Sequence, residues 1–222
     1  MNIAIAIDGP AGAGKSTIAK LAAKELSFIY VDTGALYRAI GLSAQRNGIG
    51  SKDAEKILSM LENTKIELAF NEKGEQVVLL NGEDVSAFIR TPEISMYASD
   101  VSAIPEVRAF LLDLQRNMAK TNNVIMDGRD IGTVVLPDAK IKIFLTASAQ
   151  VRAKRRYEEL IEKGMDVKYD DILQDVITRD YNDSHREIAP LKPADDSVIV
   201  DTSDLNLEQS VEKLISIMKE NM

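Results

Sequence analysis

Gly9-Pro10-Ala11-Gly12-Ala13-Gly14-Lys15-Ser16 follows directly on the apolar run Ile3-Ala4-Ile5-Ala6-Ile7. The pattern G-x-x-x-x-G-K-[ST], with a strand before it and a helix after it, is that of a phosphate-binding loop. Glycines let backbone N–H groups turn inward onto phosphate oxygens, where a Cβ would block the approach. A helix starting near Lys15 adds the positive end of its dipole. The pattern predicts that Lys15 reaches the β- and γ-phosphates of a bound nucleotide and that Ser16 holds Mg²⁺ directly. Gly9, Gly12, Ala13, Gly14, Lys15, Ser16 and Thr17 are the candidate nucleotide ligands of this loop.

Working outward, short apolar runs alternate with amphipathic stretches. Ile3–Ile7, Phe28–Val31, Val124–Met126, Ile141–Leu145 and Val198–Val200 read as central strands, each near-continuous as for strands buried on both faces. Ile18, Leu21, Ala22 and Leu26 are expected on one face of the first helix. Asp32-Thr33 predicts the cap of a helix running from about Gly34 to Gly48, and Ser51 that of the next. Thr91-Pro92 reads as an N-cap with proline at the first helical position, and Asn206 with Gln209 as a capping box. The alternation predicts an α/β fold: a five-stranded parallel sheet of P-loop NTPase type with helices on both sides.

Two segments depart from that rhythm. Lys65–Arg90 reads as β-hairpins, with Ile66–Phe70 alternating, a turn at Asn71-Glu72-Lys73-Gly74, a return over Gln76–Leu80 and a second turn at Asn81-Gly82. Ser148–Met165 reads as a helical, basic insert with Arg152, Lys154, Arg155 and Arg156 close together. The expected organisation is one domain over 1–222: core 1–64, 91–147 and 166–222, β insert about 65–90 and lid about 148–165.

Composition bounds the function. A 222-residue chain that is 45% hydrophobic supports a proper core. Its net charge of −8 argues against a nucleic-acid polymer as partner, and means that an anionic substrate needs local arginines. The chain has no cysteine, which excludes disulfides, zinc–thiolate sites and thiol catalysis. No apolar run approaches a membrane span, and Asp8 ends the first run too early for a signal peptide. The expectation is a soluble, cytoplasmic monomer without a membrane partner.

Open parallel sheets bind ligands at the carboxyl ends of their strands, so the residues just after each strand carry the chemistry. Arg38 lies about one turn into the helix after the second strand, placed either for a second phosphate or for a neighbouring helix. Asp127-Gly128-Arg129-Asp130 follows the third strand. Asp127 is a candidate for orienting Mg²⁺ through water. Arg129 and Asp130 either pair with each other or take a phosphate and a base donor respectively. Arg179, Asp183 and Arg186 share one helical face, either as exposed ion pairs or as positive partners for phosphates. His185, the only histidine, lies off that stripe and reads as a surface residue.

Nearly the whole chain resembles the bacterial cytidylate kinases of the nucleoside monophosphate kinase superfamily. The resemblance rests on I-D-G-P-A-G-A-G-K-S at 7–16, D-T-G-A-L-Y-R at 32–38, G-E-D-V-S at 82–86, I-R-T at 89–91, D-G-R-D-I-G-T-V-V-L-P-D-A at 127–139, K-I-F-L at 142–145 and R-D-Y-N-D-S-H-R-E-I-A-P-L at 179–191. Adenylate kinases carry D-G-F-P-R where this chain has Asp127-Gly128-Arg129-Asp130. The resemblance implies ATP and Mg²⁺ as cofactors, CMP and dCMP as acceptors, and Lys15, Arg129, Arg186 and Arg156 as catalytic residues. It implies that Arg38, Arg129 and Arg186 surround the acceptor phosphate and that Ser99, Arg108 and Asp130 read the cytosine. Arg179 and Asp183 would bind the ribose, and Arg152, Arg155 and Arg156 would sit on the lid over ATP. Thr33 keeps the hydroxyl of the serine found there in many relatives.

The polarity of the implied base site can be checked physically. Cytosine offers a donor at N4 and acceptors at N3 and O2, so a carboxylate and an arginine suit it; uracil would turn O4 toward Asp130. A kinase for UMP or another small acceptor, and a P-loop regulatory module, are the alternatives. The chain lacks the N-K-x-D guanine motif that a P-loop switch of that kind would need.

Overall fold

The five apolar runs form the strands of one sheet in a computed structural model that describes residues 2–72 and 76–222. They are β1 (Ala4–Asp8), β2 (Ile29–Asp32), β6 (Val124–Gly128), β7 (Ile141–Thr146) and β8 (Val198–Asp201), in the spatial order β2-β6-β1-β7-β8. β1 pairs in parallel with β6 and β7, and β7 with β8. β1 is therefore central, and its carboxyl end carries the glycine-rich loop. β8 is an edge strand with Val198 and Ile199 exposed. Of its apolar run only Val200 is buried, and no described strand lies on its outer side.

The backbone divides into two units, 1–30 with 122–222 and 31–121. In the first, α1 (Lys15–Leu26) and α8 (Leu207–Asn221) cover one face of the sheet. Ile18, Ala19 and Ala22 of α1 join Leu214, Ile215 and Met218 of α8 over Ile5, Ile7, Ile143 and Leu145. Leu21 departs from expectation and is exposed. The buried face of α1 runs through Ile18, Ala19, Ala22 and Ala23, and Leu21 lies off that arc beside Leu207 and Val211. Asn206 and Gln209 form the expected capping box of α8. A helical pair, α6 (Ala149–Glu162) and α7 (Tyr169–His185), has its own small core of Ala153, Leu160, Ile172 and Val176.

The second unit holds α2 (Thr33–Arg46), α3 (Ala54–Leu61), the strands β3 (Ile66–Phe70), β4 (Gln76–Leu80) and β5 (Glu83–Asp84), α4 (Pro92–Val101) and α5 (Pro105–Thr121). The three strands form the expected antiparallel sheet in the order β3-β4-β5. Ile66 opposite Leu80 and Leu68 opposite Val78 turn one face onto α2 and its neighbours. Asn81 and Gly82 both take positive φ, 51° and 86°, the two-residue hairpin turn that their sequence signals. Lys73 and Gly74 of the other expected turn lie outside the described residues. Thr91 caps α4 through Ile94 N at 3.2 Å. α3 is capped by Asp53 instead of Ser51, whose hydroxyl donates to Asp100 at 2.6 Å. Among the described residues no helix is long and apolar enough to cross a membrane.

α2 and α4 approach closely because position 41 is glycine. An added Cβ would lie 2.8 Å from Tyr97 Cβ and 3.3 Å from Ala98 N. Gly41→Ala gains about 1 kcal/mol of helix propensity but overpacks this contact at a cost of about 1–3 kcal/mol. The expected outcome is a lower melting temperature than wild type; an unchanged or higher one would show that the helices can part at little cost.

Candidate active site

The glycine-rich loop has the geometry its sequence demands. Gly9 sits at φ 147°, where a Cβ would come 1.9 Å from the Leu145 carbonyl oxygen. Gly14 is the N-cap of α1 in the left-handed region, and the helix opens with Lys15. Lys15 is buried and its Nζ donates to the Pro10 carbonyl at 2.8 Å. Burial, with the Arg129 guanidinium nearby, pushes its ammonium down to about 7, against the pull of Asp127 and Asp8. Ser16 is exposed and donates through Oγ to Asp127 Oδ2 at 2.8 Å; Tyr30 donates its phenol to Asp127 Oδ1 at 2.9 Å.

Asp8 ends β1 and accepts from the backbone N–H groups of Ile131 and Gly132, each at 2.7 Å. These open a short π-helical turn, Ile131–Val135. Burial raises the Asp8 carboxyl to about 6, and the two N–H groups oppose that rise. Arg129 and Asp130, adjacent in sequence, reach different partners. Arg129 Nε donates to Asp183 at 2.8 Å, and Arg186 Nη2 to Asp130 at 3.4 Å. Burial also raises Asp183, but Arg129, Arg179 and Arg186 outweigh it and hold the carboxyl below the ordinary range. The Arg179–Asp183–Arg186 stripe is thus a cluster around a buried carboxylate rather than an exposed face. His185 is exposed and stacks on Tyr181 with ring centroids 4.1 Å apart.

The arginines of α6 fan in three directions. Arg152 is buried, donating to the carbonyls of Ala147 and Ala11 and gripping Asp180 of α7. It therefore braces the phosphate loop from behind. Arg155 donates to the carbonyls of Thr202 and Leu205 after β8, and Arg156 pairs with Glu159 on its own helix.

In the second unit, Asp32 caps α2 through Ala35 N at 3.0 Å. Its other oxygen takes Arg38 at 2.8 Å and Arg90 at 3.2 Å. Arg38 therefore meets the cap of its own helix, not a neighbouring helix, and its buried Nε has no hydrogen-bond partner among the described residues. Thr33, the first residue of α2, is buried. Gln76 of β4 accepts from Asp32 N at 3.0 Å, tying the β insert to this turn. Arg108 is buried, donates to the Ser102 carbonyl at 3.3 Å and lies 5.7 Å over the Tyr37 ring. Ser99 lies one turn before, its carbonyl accepting from Ser102 Oγ at 2.8 Å. Sequence reasoning missed Asp8, Tyr30, Asp32 as a clamp, and Arg90. Asp8, Asp32 and Arg90 carried a signal in the I-D-G-P, D-T-G-A-L-Y-R and I-R-T stretches; the Tyr30–Asp127 contact required the strand order.

Known proteins match this chain along nearly its whole length. The family model described as cytidylate kinase matches residues 5–220. The chain belongs to the cytidylate kinase family. The cytidylate kinase of Caldicellulosiruptor saccharolyticus is 55% identical, over 97% of this chain and 95% of that one. Those of Caldanaerobacter subterraneus and Carboxydothermus hydrogenoformans are 51% and 50% identical, each over 96% of the relative. Among solved structures, an uncharacterized protein from Eubacterium ventriosum has a TM-score of 0.56 at 11% identity, covering 98% of this chain and 99% of that one. A sugar kinase from Janibacter has a TM-score of 0.50 at 14% identity, covering 99% of this chain and 95% of that one. These two show the shared fold alone.

The lowered Lys15 has a measurable consequence. Burial and the neighbouring Arg129 guanidinium lower the Lys15 ammonium in the free protein, so it sheds its proton more readily than an ordinary lysine, and the cost of keeping it charged builds as pH falls below the ordinary lysine range. A bound polyphosphate adds negative charge and draws the proton back. ATP binding at pH 8 is therefore expected to take up a proton, up to about one per site, read by calorimetry in two buffers of different ionisation enthalpy. Lys15→Met should abolish most of that uptake. Equal uptake in both proteins would place the titrating group elsewhere.

Proposed function

We propose that the chain transfers the γ-phosphoryl group of ATP to CMP or dCMP, giving ADP and CDP or dCDP. The family match over residues 5–220 carries this reading. The site chemistry supports it: phosphoryl transfer asks mainly for positioning and for positive charge around the phosphates. Lys15 and the loop amides would hold the β- and γ-phosphates. Arg129 and Arg186 would face the transferred group, with Arg38 on the acceptor phosphate and Thr33 beside it. Arg156 would complete the charge on the ATP side, and Arg155 and Arg152 would support it. The unmet Arg38 Nε is suited to a phosphate oxygen. Arg179 and Asp183 would meet the ribose.

The hydroxyl of Ser16 and the carboxylate of Asp127 are joined at 2.8 Å, a hard-oxygen pair that fits Mg²⁺. Ser16 would ligate it directly and Asp127 through water. When bound, the ion neutralises charge on the β- and γ-phosphate oxygens. One copy of the chain contains every residue invoked, so a monomer would suffice. A cytoplasmic location, where nucleotides are made, suits the reaction.

Asp130, Arg108 and Ser99 would read the base. Cytosine's N4 donor suits the Asp130 carboxylate, and nothing observed favours the polarity that UMP would need. An ADP-release assay with CMP, dCMP, UMP and AMP tests the reading; turnover confined to UMP or AMP, or none, would refute it. Asp130→Asn should lower the CMP-to-UMP ratio of kcat/KM by about tenfold to a hundredfold, since an amide can also donate to uracil's O4. An unchanged ratio with both rates reduced would mean that Asp130 acts only by holding Arg186.

A further inference from the structure

We infer that Tyr30 is a positioning residue for the magnesium site, fixing the Asp127 carboxylate with Oδ2 on Ser16. The inference rests on the reading of the chain as a Mg²⁺–ATP enzyme. It assigns a task to a strand residue that neither the loop motif nor the implied base and phosphate sites include.

Three observations carry it. Tyr30 lies on β2, and β2 is the neighbour of β6, which ends in Asp127 and Gly128. The Tyr30 ring packs against the core beneath α1, so its direction is set by apolar contacts. Its hydroxyl donates to Asp127 Oδ1 at 2.9 Å while Ser16 Oγ donates to Oδ2 at 2.8 Å. Asp127 itself is buried. A carboxylate has two equivalent oxygens and a soft terminal torsion, so each donor fixed on one oxygen narrows the orientations open to it. Two donors from different elements, β2 and α1, hold its plane. That plane decides whether Oδ2 can go on accepting the Ser16 proton while the Ser16 lone pairs face a cation. Tyr30 touches neither phosphate nor base; its effect passes through Asp127.

Tyr30→Phe removes the hydroxyl and keeps the ring, and calorimetric titration with ATP, without CMP, reads its effect. Wild type and variant are each titrated in Mg²⁺ and in EDTA. The expected result is an affinity for ATP in EDTA within twofold of wild type and an affinity in Mg²⁺ reduced by about tenfold. In an Asp127→Asn background the same substitution should change the Mg²⁺ affinity by less than twofold, because the pathway is already cut. The KM for CMP should not move. Equal losses with and without Mg²⁺, an unchanged Mg²⁺ affinity, additive effects with Asp127→Asn, or failure of Y30F to fold would each overturn the proposal by making the phenol structural or idle. Wild-type protein that binds ATP equally well in Mg²⁺ and EDTA would instead overturn the metal reading on which it rests.

Discussion

The Asp8 carboxylate, accepting two backbone N–H bonds from Ile131 and Gly132, is the constraint on which the rest of the first unit depends. It sits at the last residue of the central strand, one residue before the glycine-rich loop begins. Its partners stand just beyond Arg129 and Asp130. One side chain thus fixes the start of the phosphate loop against the segment that carries Arg129 and Asp130. The bonds are short and charge-assisted, the class that contributes most per bond. The cost is burial of a carboxylate, visible in its pKa of about 6. At neutral pH the group remains largely ionised and both bonds persist.

Around that strap the site is a set of charges held partly out of water. Lys15, Asp127, Arg129 and Asp183 each feel at least one of the others. Arg129 shows the balance: burial acts to lower its basicity, and Asp183, Asp127 and Asp8 raise it further than burial lowers it. Such a cluster is poor as a device for stability, since burying charges costs several kcal/mol each and their attraction only roughly offsets that. It is well suited to phosphoryl transfer. The donors are already oriented, so little reorganisation is left when phosphate charge arrives. Arg152, buried against the Ala11 carbonyl, ties the loop to α6.

Much of this was legible in the sequence, for local reasons. The loop, the Thr91 cap, the Asn206 capping box and the Asn81-Gly82 turn each depend on residues within a few positions, and all appear where their spacing puts them. Errors arose where a local pattern fits two outcomes. Ser51 and Asp53 are both good caps, and the serine hydroxyl is taken by Asp100, far away in the chain. Leu21 fits the core face by its spacing of three from Ile18, but the buried arc extends the other way, through Ala19, Ala22 and Ala23, and leaves it exposed. Val198–Val200 is apolar on an edge strand, which no local pattern reveals. The site's second layer was the least legible. That Tyr30 meets Asp127, or that Asp130 meets Arg186 instead of its neighbour Arg129, follows only from strand order and the fold of α7.

The most direct test of this account is amide hydrogen exchange at Ile131 and Gly132, measured with turnover on wild type and Asp8→Asn. If the Asp8 carboxylate positions the site, both amides are protected in wild type. In the variant they should exchange about tenfold to a hundredfold faster, and CMP phosphorylation should fall with them. Faster exchange at both amides with turnover left intact would contradict the account, since the strap would then be a structural ornament of the sheet and not what aligns the phosphate loop with Arg129.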